Sequence, residues 1–226
     1  MSGSRTATLF VFAFATLLSA SDLLAEPPLP AAPAQVGPTR LFLAPTARSL
    51  PHGKGTIGLT EIAAPWGEVG LTDRVSVLAG SVLPFGIVGI APKVQLYGGR
   101  RVQAAIGAVQ LFGSDDTGGV GYGVVTLGSA DFAATICYGY GYGGLVDSEG
   151  SRGVLFLGAE RALGRSFRII LEGYVGGAGL GMPDQTLLGG FRFSRGRWSA
   201  DIGVVVPFYE TGSGMPVPLL TIAWAF

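Results

Sequence analysis

The stretch PLLTIAWAF, residues 218–226, ends the chain. Leu220, Ile222, Trp224 and Phe226 occupy every second position, with Thr221, Ala223 and Ala225 between them. A period of two is that of a β-strand whose faces meet different surroundings. Terminal residues are usually polar and frayed unless something ties them down. Here an apolar side chain stays in register up to the last residue, which predicts a final strand paired on both edges.

The same alternation runs back through the chain. In FAATICYGYGY, residues 132–142, Phe132, Ala134, Ile136, Tyr138, Tyr140 and Tyr142 share one face, and Ala133, Thr135, Cys137, Gly139 and Gly141 the other. In WSADIGVVVPF, residues 198–208, the large set is Trp198, Ala200, Ile202, Val204, Val206 and Phe208. The segments from Phe167 and from Leu187 repeat the scheme. A soluble sandwich would show Lys, Glu, Thr and Ser to water on its second face. Here that face is mostly Gly and Ala with a rare charge, which suits the inside of a transmembrane barrel.

Composition agrees. Among 226 residues, 13% are charged, 48% are hydrophobic, 38 are glycine, and mean hydropathy is +0.48. A chain this apolar does not remain a solvated coil. Fifteen basic and 15 acidic residues leave no net charge to draw it to nucleic acid. Residues 1–25 read as a signal peptide: Arg5, then TLFVFAFATLL, then small residues up to Ala25. That run is too short to span a bilayer as a helix. Residues 26–55 follow as a Pro/Ala-rich periplasmic linker, with RLFLAPTARSL a candidate plug or TRLFLAPT an extra strand.

Turn spacing predicts the topology. Short connections at Thr72–Asp73, Gly98–Arg100, Gly128–Ala130, Leu163–Arg165 and Arg195–Arg197 alternate with longer ones, PFGIVGIA, GSDDTGG, LVDSEGS, GGAGLGMPD and ETGSGMP. Short periplasmic turns alternating with longer external loops are a mark of outer-membrane barrels. The count over residues 56–226 is twelve antiparallel strands, with ten as the alternative. Two outward aromatic girdles are expected. Phe132, Phe167, Phe193, Trp198, Trp224 and Phe226 fall near the periplasmic ends, and Trp66, Phe112, Tyr122, Tyr140, Tyr142 and Phe208 near the external ends.

These residues resemble those of bacterial outer-membrane β-barrel proteins, in which a C-terminal aromatic is recognised by the barrel assembly machinery. The resemblance implies that Leu220, Ile222, Trp224 and Phe226 form that signal, and that the partners are outer-membrane lipid and the assembly machinery. APTARSLPHGKGTIGLTEI, residues 44–62, is similar to the start of a group of small exported barrels with a Pro-Thr-Gly-Arg-like motif and a Lys-Gly repeat. Ala47 stands where that motif has glycine, and the resemblance brings no activity with it.

Enzymatic readings find little. The single His52 sits ahead of the first strand, no G-x-S-x-G occurs, and no His, Cys and acid cluster has metal spacing. GYGYGG at residues 139–144 lies at the top of a strand with no helix after it, so it does not fit a dinucleotide site. No cofactor is expected. The one cysteine, Cys137, reads as a small strand residue. Inward charges are more informative: Arg168, Glu172, Arg192 and Asp201 on successive strands, Arg161 from the strand before, and Lys93 near the external mouth. They admit a salt-bridge network that fills the lumen, or a constriction that selects polar solutes by charge. Acidic residues Asp115, Asp116, Asp147, Glu149, Asp184 and Glu210 mark the external loops. The expected function is a passive pore or small-solute transport protein with a narrow lumen. The alternative is a non-conducting structural, adhesive or envelope-maintenance barrel acting through its loops.

Overall fold

The computed structural model describes residues 39–114, 117–144, 153–176, 183, 185–209 and 212–226. The expected signal peptide, the first part of the linker and the six acidic loop residues lie outside them. Twelve antiparallel strands form a closed ring, as the alternation predicts. They are β1 (Gly55–Thr60), β2 (Ala64–Gly70), β3 (Val75–Val82), β4 (Ile87–Gly98), β5 (Val102–Phe112) and β6 (Thr117–Gly128), then β7 (Phe132–Gly143), β8 (Gly153–Ala162), β9 (Phe167–Gly176), β10 (Gln185–Arg195) and β11 (Trp198–Tyr209). A two-residue strand, β12 (Gly212–Ser213), adds to β11 alone, and β13 (Val217–Ala225) completes the ring.

Closure runs through β1 and β13, from Thr56 opposite Ala225 to Thr60 opposite Thr221. Two further bonds seal its end: Gly55 N donates to Phe226 O at 3.1 Å, and Phe226 N to Gly55 O at 2.9 Å. A Cβ on Gly55 would stand 2.2 Å from the Phe226 ring, so the absent side chain is what lets the ring lie there. Each of the twelve strands of the ring is therefore paired on both sides, as a sheet in hydrocarbon requires.

Alternation sorts the faces. Val88, Ile90, Val94, Ile106, Ile136, Ile202, Val204, Leu220 and Ile222 are all exposed on the outside. Water does not tolerate an apolar surface continued around a whole barrel; lipid does. Inward positions are small, polar or packed against a segment that enters the lumen.

Two expected boundaries move. PFGIVGIA is not a long connection: a single 3-10 turn, Leu83–Phe85, and Gly86 in the left-handed region (φ 61°) make the corner, and Ile87 to Ala91 already belong to β4. Val88 and Ile90 face out and Gly89 and Ala91 in, so the strand alternation starts before the loop-like composition ends. TRLFLAPT is not a barrel strand either. Arg40 and Pro45 form an isolated bridge, closing a hairpin with Leu41 N bonded to Ala44 O at 2.9 Å and Thr46 N to Thr39 O at 2.8 Å.

Candidate functional site

The hairpin lies inside the barrel. Leu41 and Ala47 are fully buried, as nearly are Phe42 and Ala44. The leg that follows Thr46 leads to the end of the barrel with the short turns. Arg48 Nη2 donates to Ser129 O at 3.3 Å, Ser49 Oγ to Arg74 O at 3.3 Å, and His52 N to Asp73 Oδ1 at 2.9 Å. Its tip reaches the middle of the wall. Leu41 lies against Gly158 of β8 and Phe42 against Gly203 of β11.

The wall is built to hold that backbone. Glu172 of β9 accepts the amides of Phe42 (2.8 Å), Leu43 (3.1 Å) and Ala44 (2.8 Å), three successive donors converging on one carboxylate, and the hydroxyl of Tyr174 completes its shell. Arg192 of β10 donates to the carbonyls of Arg40 (3.2 Å) and Leu41 (2.6 Å) while held by Asp201 of β11 through Nε at 2.7 Å and Nη2 at 2.8 Å. Lys93 of β4 bridges the two legs, donating to the carbonyls of Thr39 and Thr46 at 3.1 Å each. Gln95 donates to Ala47 O at 2.8 Å, and Thr126 accepts from Ala47 N at 2.9 Å. A hydrogen bond to a charged group contributes about 1.5–3 kcal/mol net, and a neutral one about 1 kcal/mol. Three charged groups of the wall, Lys93, Glu172 and Arg192, are thus committed to the hairpin backbone, which is the opposite of a solvated filter.

Four of the expected lumen residues besides Lys93 are buried and inward: Arg168, Glu172, Arg192 and Asp201. Arg161 is not among them. It is exposed on the outer face, opposite Phe132 and Ile169, and Glu160 takes the inward place. Residues 154 to 157 of β8 are Val-Leu-Phe-Leu, large on both faces, so the alternation gives no parity there. Glu160 pairs with Arg48 of the incoming segment and with Arg168 Nη1 at 3.3 Å, and Arg168 Nη2 donates to Ala130 O at 2.8 Å.

Several participants carry no signal in the alternation. Glu68 of β2 accepts the hydroxyls of Thr39 and, at 2.9 Å, Ser76. Arg40 places its guanidinium carbon 3.8 Å from the centroid of the Trp66 ring. Burial, with Arg192 next, lowers the Arg40 pKa to about 10, which leaves it charged at neutral pH. Cation–aromatic contact of this kind supports a buried guanidinium.

The girdle expectation is corrected at two positions. Trp66 faces the lumen, its ring occupying the space that the missing side chain of Gly58 leaves. Tyr122 also faces inward, over Gly107 and against the cluster of Ala47, Ala105, Val124 and Cys137. Glycine directly across the ladder admits each ring, an arrangement that a girdle count by distance from the turns does not see. Phe112, Tyr140, Tyr142, Phe167, Phe193 and Trp198 are exposed outside. Phe208 is half-buried on the same face, and Phe132 is only 9% exposed. Phe167 and Phe193 pair at 5.0 Å, Trp198 and Trp224 at 6.5 Å, and Trp224 and Phe226 at 5.8 Å, all toward the short-turn end.

Known structures share this architecture. The chain is similar to the KdgM porin, with TM-score 0.53 and 8% identity over 76% of this chain and 96% of that one. It is also similar to a NanC porin, with TM-score 0.52 and 12% identity over 76% of this chain and 98% of the other. A KdgM porin in complex with disordered oligogalacturonate gives TM-score 0.52 and 9% identity, again over 76% of this chain. At such identities the likeness is one of fold. No family model matches the sequence, and no curated protein matches it.

Proposed function

We propose that the chain is an outer-membrane β-barrel that passes small polar solutes without energy input, through a lumen that residues 39–50 occupy. The observation that carries the reading is the closed ring of twelve strands with an apolar outside and charged groups inside, Lys93, Arg168, Glu172, Arg192 and Asp201 among them. Eight strands leave an interior just wide enough for side chains, and sixteen leave an aqueous channel. Twelve here enclose a hairpin as well, so the ring is wider than its own side chains fill. The likeness to porins adds support at the level of architecture. On this reading Phe226 and the alternate residues Trp224, Ile222 and Leu220 are what the assembly machinery binds, and lipid surrounds the apolar face.

A second reading is a barrel that does not conduct and serves the envelope structurally. One observation favours it: the buried contacts of Leu41, Phe42, Ala44 and Ala47 fill the lumen at mid-height. Conductance in a planar bilayer decides between them. Steady current from the folded chain, with ion selectivity that changes in Arg168→Ala and Arg192→Ala, supports a pore. Silence from a barrel shown to be folded by its heat-dependent gel mobility, in the wild-type chain and in a variant lacking residues 39–50, supports the structural barrel.

A further inference from the structure

We infer that residues 39–50 are a withdrawable plug, and that the lumen it closes prefers cations. The inference rests on the channel reading above and goes on to its regulation and selectivity. Three features of the hairpin allow withdrawal. Its two legs run side by side from the tip, Thr46 N donating to Thr39 O, and the leg that follows Thr46 reaches the short-turn end. Among the described residues, no barrel strand forms a ladder with residues 39–50, and their ties to Glu172, Arg192, Lys93 and Gln95 run through wall side chains. A pivot follows directly: Pro51, then Gly53 at φ 72° with open space around its Cα.

Charge complementarity holds the plug in and defines what its departure exposes. Among the described residues, seven charged side chains are buried on the wall: Lys93, Arg168 and Arg192 against Glu68, Glu160, Glu172 and Asp201. Three cations against four anions leave the wall at −1. The hairpin brings Arg40 and Arg48, so the closed lumen holds +1 and the open one −1. Charges lining a constriction set the sign of the ions that pass. The bulk of the hairpin therefore closes the lumen while it is in place, and the wall's net negative charge points to passage of cations once the two arginines leave.

The native Cys137 reports the same movement. It is fully buried in a cluster with Ala47, Ala105 and Val124, and it is the only cysteine in the chain. Withdrawal takes Ala47 away and opens the thiol to water in the lumen.

The experiment compares the full chain, a variant lacking residues 39–50, and Glu172→Leu, each folded into vesicles and planar bilayers. It measures conductance, reversal potential in a salt gradient, and labelling of Cys137 by a charged, water-soluble thiol reagent. The full chain should label slowly and conduct rarely. The deletion should conduct at least tenfold more, with a cation-selective reversal potential and fast labelling. Glu172→Leu, which keeps the hairpin and removes its carboxylate, should fall between. Equal, steady conductance and equal labelling in all three would overturn the plug and leave the channel reading standing. An anion-selective deletion variant would overturn the selectivity. Fast labelling without current in the deletion would show that the hairpin is removable and that the channel reading fails.

Discussion

Leu41 lies against Gly158, where an added methyl group would stand 2.0 Å from Leu41 Cδ1. Leu41 is fully buried, so its side chain has no vacant place to turn into. One glycine of β8 thus shapes the wall around one side chain of the hairpin.

Gly158→Ala should push the hairpin outward while leaving the strand ladder intact. Overpacking of this kind costs about 1–3 kcal/mol. Trypsin, which cuts after Arg40 and Arg48, is the measurement: both bonds should resist cleavage in the native barrel and become sensitive in the variant, with heat-dependent gel mobility unchanged. Unaltered resistance would mean that the site relaxes around the methyl group.

Arg192 and Asp201 form the best-satisfied ion pair in the lumen, two bonds at 2.7 and 2.8 Å with both partners buried. Removing one partner strands the other's charge, at a cost of about 3–5 kcal/mol. Arg192→Ala and Asp201→Asn should therefore each destabilise strongly in denaturant unfolding from detergent. The double variant should be much less destabilised than their sum, because no lone charge remains. Additive losses would argue that Asp201 has another role than holding Arg192.

Much of this architecture is legible in the sequence, because lipid on one side and a confined lumen on the other impose a period of two. The parity of β7, β10 and β11 reads directly: Tyr138, Phe191 and Ile202 point out, and Cys137, Arg192 and Asp201 point in. Parity fails where both faces are large, as at Val154 to Leu157, and there Arg161 was expected inside in place of Glu160. It fails again where a glycine across the ladder admits an aromatic ring, as at Trp66 and Tyr122. The hairpin contacts are legible nowhere, since Glu172 and Lys93 bind backbone amides and carbonyls that every sequence has.

Trp66 faces the lumen whereas Trp198 and Trp224 lie outside, and the chain has three tryptophans in all. Brominated lipids should quench Trp198 and Trp224 and spare Trp66. Single-tryptophan variants in vesicles measure this directly. Strong quenching of Trp66 would return it to the outer girdle and remove the aromatic partner of Arg40.

The connection between β1 and β2 carries a different kind of cost. Glu61 and Ile62 both have positive φ, 51° and 64°, and Ile62 is 82% exposed. A β-branched residue in that region is a genuine outlier, since its Cβ crowds the following carbonyl. Three residues, Glu61, Ile62 and Ala63, connect the paired Thr60 and Ala64, and tight hairpin connections favour Asn and Gly where φ must be positive. Glu61 has a compensating role, its carboxylate accepting Leu220 N at 2.5 Å across the seam where β13 meets β1, whereas the Ile62 side chain is apolar and largely exposed. Ile62→Gly should thus relieve strain, offset in part by the extra freedom glycine brings to the unfolded chain. The net expectation is a gain of up to about 1 kcal/mol in unfolding free energy measured in detergent, with hairpin protection from trypsin unchanged. Glu61→Gly, by contrast, relieves similar strain and gives up the bond to Leu220, so it should yield no gain. Equal stabilisation by both variants would mean that the seam does not depend on that carboxylate.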